Sequence, residues 1–157
     1  MQQTKDFDLK FFCAPVDDKI IDLRHDVLRP GLPKDSAMFE GDELPTTLHF
    51  LAYTPQLPSL PVCCVSYFLS DWEGIPVYQL RGMATKKDFQ KMGIGKKLLL
   101  FAEDFIRKQK SSVIFWCNAR SEAIGFYQKQ GWACFGEEFD MPDVGMHRKM
   151  IKGIASS

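Results

Sequence analysis

The chain has 157 residues, 45% hydrophobic and 13% aromatic, enough to bury one sizeable core and too few for two ordinary domains, so a single domain over residues 1–157 is expected. Twenty Lys and Arg balance twenty Asp and Glu, which argues against a nucleic-acid or membrane-surface partner and confines any basic feature to a local patch. Residues 1–10 are polar and charged, without the apolar run of a secretory signal, and no stretch approaches the roughly 18 apolar residues of a spanning helix, so a cytoplasmic location is expected. The five cysteines (Cys13, Cys63, Cys64, Cys117 and Cys134) form no C-x-x-C pair and no metal-ligand spacing with histidine; they read as reduced core thiols, and no metal is expected.

In chain order, residues 9–14 form a short apolar strand. Asp17 or Asp18 then caps a helix carrying Ile20, Ile21, Leu23, Val27 and Leu28 on one side, and Pro30-Gly31 stops it. Residues 31–45 are rich in Pro and Gly and read as an ordered loop or a helical turn, of the kind that often covers a site. Strands are predicted over 46–54, 61–70 and 76–85, an antiparallel meander. The clearest helix is 93–109, with Leu98, Leu99, Phe101, Ala102, Phe105 and Ile106 at helical spacing. The apolar run 112–117 (SVIFWC) follows as a buried strand and completes a βαβ unit. Ser121 caps a short helix through residue 130, Gly131 ends it, and strands over 132–139 and 145–152 close the chain.

The chemically informative segment is 80–97. A strand ending in Met83-Ala84-Thr85 runs through a polar loop into Gln90-Lys91-Met92-Gly93-Ile94-Gly95-Lys96 at the mouth of the strongest helix. A helix start presents unpaired N–H groups and partial positive charge, and glycine allows a bulky anion close to that backbone. The same glycines also serve tight turns and helix packing, and the lysines around them (Lys86, Lys87, Lys91, Lys96, Lys97) also suit a solvated face.

Gln90 to Gly95 resembles the Q/R-x-x-G-x-G/A signature of the GNAT superfamily of acyl-CoA-dependent N-acyltransferases, and the chain resembles a small bacterial-type, single-domain member. Residues 80–85 resemble that family's fourth strand, and the run from Asn118 to Trp132 resembles its N-x-x-A-x-x-F-Y-x-x-x-G-F block. Lys87 stands where the family commonly has proline, and Lys91 where it often has a second arginine. The resemblance implies an α/β (α+β) fold of the GNAT kind. Its central sheet would be mixed and mostly antiparallel, with about six to seven strands splayed between the fourth and fifth and about four flanking helices.

By the same resemblance, the cofactor is acetyl-CoA, with CoA as product. The backbone of Met83, Ala84 and Thr85 would pair with the pantetheine arm like an added strand. The segment Gln90, Lys91, Met92, Gly93, Ile94, Gly95 and Lys96 would hold the pyrophosphate, and Asn118 would reach the cofactor from across the splay. Tyr127 falls where the family places the acid that protonates the departing thiolate; packing beside Phe126 is its plainer reading.

The resemblance implies that the acceptor is a primary amine of a small molecule or peptide. Its proton would go to a base chosen among His147, Glu137, Glu138, Glu40, Asp42, Glu43, His49 or water. His147 resembles a histidine of some small bacterial relatives and is the one placed in the catalytic set, against a structural role as a strand residue. Arg24 and Arg29 would either meet an acidic part of a substrate or serve as surface and helix-end residues. Direct attack in a ternary complex is expected, with a catalytically silent acyl-CoA-binding module as the alternative. Exposed strand edges make a homodimer possible.

Overall fold

A computed structural model describes residues 8–110 and 112–155; most of the polar opening segment, 1–7, lies outside them. Eight strands, β1 (Lys10–Ala14), β2 (Leu48–Tyr53), β3 (Cys63–Trp72), β4 (Ile75–Thr85), β5 (Ser112–Arg120), β6 (Ala133–Cys134), β7 (Phe139–Met141) and β8 (Gly145–Ala155), form one sheet. Its order is β1-β2-β3-β4-β5-β8-β6, with β7 also on β8. All pairings are antiparallel except β4 with β5. Among the described residues three α-helices accompany it: α1 (Asp18–Leu28), α2 (Ile94–Arg107) and α3 (Ile124–Lys129), with short 3-10 turns at Lys34–Ala37, Lys87–Phe89 and Ser121–Ala123. The fold is the expected one, with one strand more and one α-helix fewer. None of the helices is long and apolar enough to cross a membrane.

The sheet is covered on both faces. Ile94, Leu98, Leu99, Ala102 and Ile106 of α2 pack with Phe50, Val65, Tyr67, Leu80, Phe115, Tyr127 and Trp132, while Ile20 and Leu23 of α1 pack with Leu51, Cys64 and Ala84 on the opposite side. Alternation along the strands produces this division: Phe50 and Ala52 face α2 while Leu51 between them faces α1. Asp17 caps α1 by accepting from the Ile20 amide at 3.1 Å.

Several expected boundaries differ. The strand expected over 132–139 is two short pieces, because Gly136 takes a left-handed φ of 84° between them and breaks the ladder. The strand β5 continues three residues past 117, since Asn118, Ala119 and Arg120 pair with Lys149, Arg148 and His147 of β8. Ser121 does not cap a helix: its hydroxyl donates to the Met146 carbonyl at 3.3 Å, and a 3-10 turn precedes α3.

Two buried polar networks pin the covering segments to the sheet, one on each face. Arg24 is fully buried on the apolar stripe of α1. Its guanidinium grips both Asp42 oxygens at 2.7 and 3.0 Å, the Ala37 carbonyl at 3.0 Å and the Ser66 hydroxyl at 2.8 Å. His49 bonds Ser66 at 2.6 Å and the Asp42 carbonyl at 2.9 Å. On the other face, buried Glu103 accepts from Trp132 at 3.1 Å and from Lys152 at 2.7 Å.

The register of β4 holds the key irregularity. Cys64 faces Ala84 and Ser66 faces Arg81, so Gly82 and Met83 together oppose Val65. This bulge reverses the side-chain phase of β4, turning Leu80 and Met83 to the α2 face and Ala84 to the α1 face. Gly82 has φ 67°, and a Cβ there would lie 2.8 Å from Arg24 Nε and 3.0 Å from the Phe39 ring. Only glycine admits the buried guanidinium this close to the strand.

Removing one partner of a buried pair strands the other charge. Asp42→Ala should therefore cost about 3–5 kcal/mol, read as a fall of order 10 °C in the thermal midpoint. Asp22→Ala, which removes the partner of exposed Lys34, should leave the midpoint unchanged.

Candidate active site

Parallel pairing between β4 and β5 runs from Val77–Ile114 to Leu80–Cys117 and stops there. Beyond it β4 continues through Thr85 along β3, while β5 continues through Arg120 along β8. The strands part, and the β5-facing edge of Met83, Ala84 and Thr85 has no strand partner. A cavity of about 170 Å³ lies in this gap. Its lining comes from both faces of the sheet, with Ala123 and Tyr127 on the α2 side and Leu28, Arg29 and Phe39 on the α1 side.

Of the expected site residues, the cavity brings together Met83, Asn118, Tyr127 and His147. The Asn118 Oδ1 atom is buried without any hydrogen-bond partner, so the site holds an acceptor atom awaiting a donor. Tyr127 is buried, and its hydroxyl approaches the Met83 sulfur at 3.7 Å. Burial, and then the neighbouring Cys117 and Cys63, push its phenol well above the ordinary tyrosine range, so the hydroxyl remains a donor at neutral pH. The His147 ring stacks on Phe139, and Nδ1 donates to the Gly145 carbonyl at 2.8 Å. That bond fixes the proton on Nδ1 and leaves Nε2 as the basic nitrogen.

The phosphate-loop candidates form a continuous turn beside the open edge. Gln90 donates to the Thr85 carbonyl at 2.9 Å and anchors the loop to the strand end. Lys91 and Gly93 take left-handed φ values of 64° and 81°, and Gly93 is the N-cap of α2 with no side chain closing the helix start. A Cβ at Gly93 would meet nothing within 4 Å, whereas one at Gly95 would touch Met83 and Thr85 at 3.5 Å. Gly93 therefore serves the turn and Gly95 the approach of α2 to β4. Met92 and Lys96 are exposed, and Ile94 is buried beneath the loop. Four N–H groups at such a helix start lack intrahelical partners and suit an anion.

The other base candidates are engaged or distant. Burial alone would raise the Asp42 carboxyl, yet the Arg24 hydrogen bonds and the Phe39 amide hold it below its ordinary value. Both His49 nitrogens are bonded and burial lowers its pKa. Glu40, Glu43, Glu137 and Glu138 are exposed and line no part of the cavity. Arg24 is consumed by Asp42, so of the two arginines noted in the sequence only Arg29 reaches the cavity.

Arg81 and Arg120 also line the site, and the sequence offered no local sign of them. Burial lowers the Arg29 pKa, and Arg120, Arg81 and Arg24 lower it further by repulsion. Burial pushes the Cys117 thiol up to about 12, so it is no ready nucleophile. Among the described residues no group of His, Cys, Asp and Glu is placed to hold a metal.

The family model described as "Acetyltransferase (GNAT) domain" matches residues 48–134. The chain is 29% identical over 147 residues to the uncharacterized N-acetyltransferase YitI of Bacillus subtilis, covering 87% of this chain and 91% of that one. In fold it is similar to Escherichia coli ElaA, with TM-score 0.77, 14% identity and coverage of 92% and 99%. It is also similar to an aminoglycoside 6'-N-acetyltransferase complexed with coenzyme A, with TM-score 0.68, 14% identity and coverage of 93% and 98%. More than half of the chain thus matches one family over the segment that carries the strand parting, the glycine turn and Tyr127, and the protein belongs to the GNAT family of N-acetyltransferases.

Proposed function

We propose that the protein, acting as one domain, transfers an acetyl group from acetyl-CoA to a primary amine of a small molecule or peptide by direct attack in a ternary complex. The observation that carries this reading is the conjunction, within one gap, of an unpaired β4 edge, a left-handed glycine turn at a helix start and an orphaned buried Asn118 oxygen. These are the three elements a long thioester with a pyrophosphate requires: backbone groups for its amide-bearing arm, N–H groups for its charge and a polar contact near its reacting end. Acetyl-CoA, when bound, supplies an activated thioester carbonyl.

In this reading the backbone of Met83 and Thr85 holds the pantetheine arm, and the N–H groups of residues 91–96 hold the pyrophosphate. Asn118 contacts the arm from across the gap. Tyr127 donates its hydroxyl hydrogen toward the leaving sulfur, a role suited to a phenol kept neutral by burial. His147, with Nδ1 committed to Gly145, offers Nε2 to the ammonium proton that the attacking amine must lose. The high thiol pKa of Cys117 favours direct transfer over a covalent enzyme intermediate.

Acetyl-CoA should raise the thermal midpoint, and thiol release should appear for some member of an amine panel. A rise without release for any amine would favour a silent binding module, and no rise would remove the cofactor assignment. Tyr127→Phe should lower kcat by about tenfold or more while leaving acetyl-CoA affinity within about twofold; unchanged kcat would exclude Tyr127 from the chemistry. Gly93→Val places a β-branched residue at a left-handed φ and should weaken calorimetric CoA binding about tenfold or more; equal affinity would show that the turn does not hold the pyrophosphate.

A further inference from the structure

The cavity lining contains three arginines and one histidine, and no carboxylate. None of the ion pairs among the described residues includes Arg29, Arg81 or Arg120. The three converge from distant parts of the chain. Arg29 and Arg120 both direct a guanidinium nitrogen to the Leu28 carbonyl, at 3.4 and 2.6 Å. The Arg81 guanidinium lies 4.1 Å from the centre of the Phe39 ring, and that of Arg29 lies 5.8 Å from it. The nearby Asp42 is gripped at both oxygens by Arg24 and forms no ion pair with any of the three among the described residues. Arg120 also sits opposite His147 in the β5–β8 ladder, on the same face as Asn118.

Three half-buried guanidiniums without a counter-ion, in a cavity that a substrate must enter, form a receptor for an oxyanion. A cationic acceptor would meet only like charge there. From this we infer that the acceptor amine carries a carboxylate or phosphate group, held by Arg29, Arg81 and Arg120 on the α1 side of the gap while its nitrogen points toward His147. The inference rests on the transferase reading above and names its substrate class.

The test follows thiol release at saturating acetyl-CoA for matched pairs: amino acids with their carboxamides, and O-phosphoethanolamine with ethanolamine. The anionic member of at least one pair should show kcat/KM about tenfold or more above its neutral mate, and the favoured pair distinguishes carboxylate from phosphate. In Arg29→Gln and Arg120→Gln that ratio should collapse toward one, a readout that partial unfolding does not move because both members sense the same folded fraction. Equal or better use of the neutral amines by the wild type would overturn the inference and leave the transferase standing.

A second arm removes chemistry altogether. N-acetyl amino acids, N-acetyl-phosphoethanolamine and their uncharged counterparts are titrated calorimetrically into the CoA-saturated protein. Selective binding of the anions, lost in both variants, supports the site even if no amine is turned over, in which case the transferase reading alone fails. Equal binding of charged and uncharged compounds, or none, would overturn the inference.

Discussion

Parallel pairing between β4 and β5 ends at Leu80 and Cys117, and the remaining features of the site depend on where it ends. Had the ladder continued, the amides of Met83 to Thr85 would be satisfied within the sheet, Asn118 would have lost its opening, and the cavity would not exist. Each strand is drawn away by its other neighbour, β4 by β3 and β5 by β8. A buried backbone left unpaired in this way is costly unless something completes it. The fold leaves such an edge here, where an extended ligand arm can pair with it.

Such an opening requires firm support on both sides. On the α1 side the support is ionic: Arg24, Asp42, Ser66 and His49 are joined by bonds of 2.6–3.0 Å that lock the loop containing Phe39 against α1, β2 and β3. On the α2 side it is mostly apolar, with Glu103 joining Trp132 and Lys152. Trp132 in turn donates its backbone amide to the Tyr127 carbonyl at 3.1 Å, so the network holds the turn that presents the tyrosine. Buried charge in this protein serves position more than net stability, since an apolar replacement of the same volume is often at least as stable.

Much of this was legible in the residues. Helix α2 follows from its apolar period, β5 from its β-branched and aromatic run, and the glycine turn from a motif whose mechanism is local. What was not legible depends on tertiary contact. Asn118 to Arg120 look like loop residues until β8 pairs with them. Asp42, a base candidate in the sequence, is instead the ionic partner of Arg24, and nothing local to Glu103 or Lys152 points to their buried pairing. Arg24 gave one available sign, since it lies four residues after Ile20 and one after Leu23, on the apolar stripe of α1. The gathering of Arg29, Arg81 and Arg120 had none, because residues so far apart in sequence meet only once the sheet is assembled.

The bulge at Gly82–Met83 sets a condition on how relatives of this chain can diverge. Because side chains alternate with a period of two, a regular ladder that kept all of these residues without the bulge would turn Met83 to the α1 face and Ala84 to the α2 face, exchanging the contacts that follow. The segment from Leu80 to Gly95 is thus constrained in length as well as in composition, for the strand end, the Gln90 anchor and the start of α2 must all arrive together. The loop between α1 and β2 is under no such parity rule outside its Phe39 and Asp42 contacts. Changes of acceptor therefore have more room to accumulate as insertions and deletions before β2, whereas in β4 and its turn a change of length disturbs the register and substitution is the easier route.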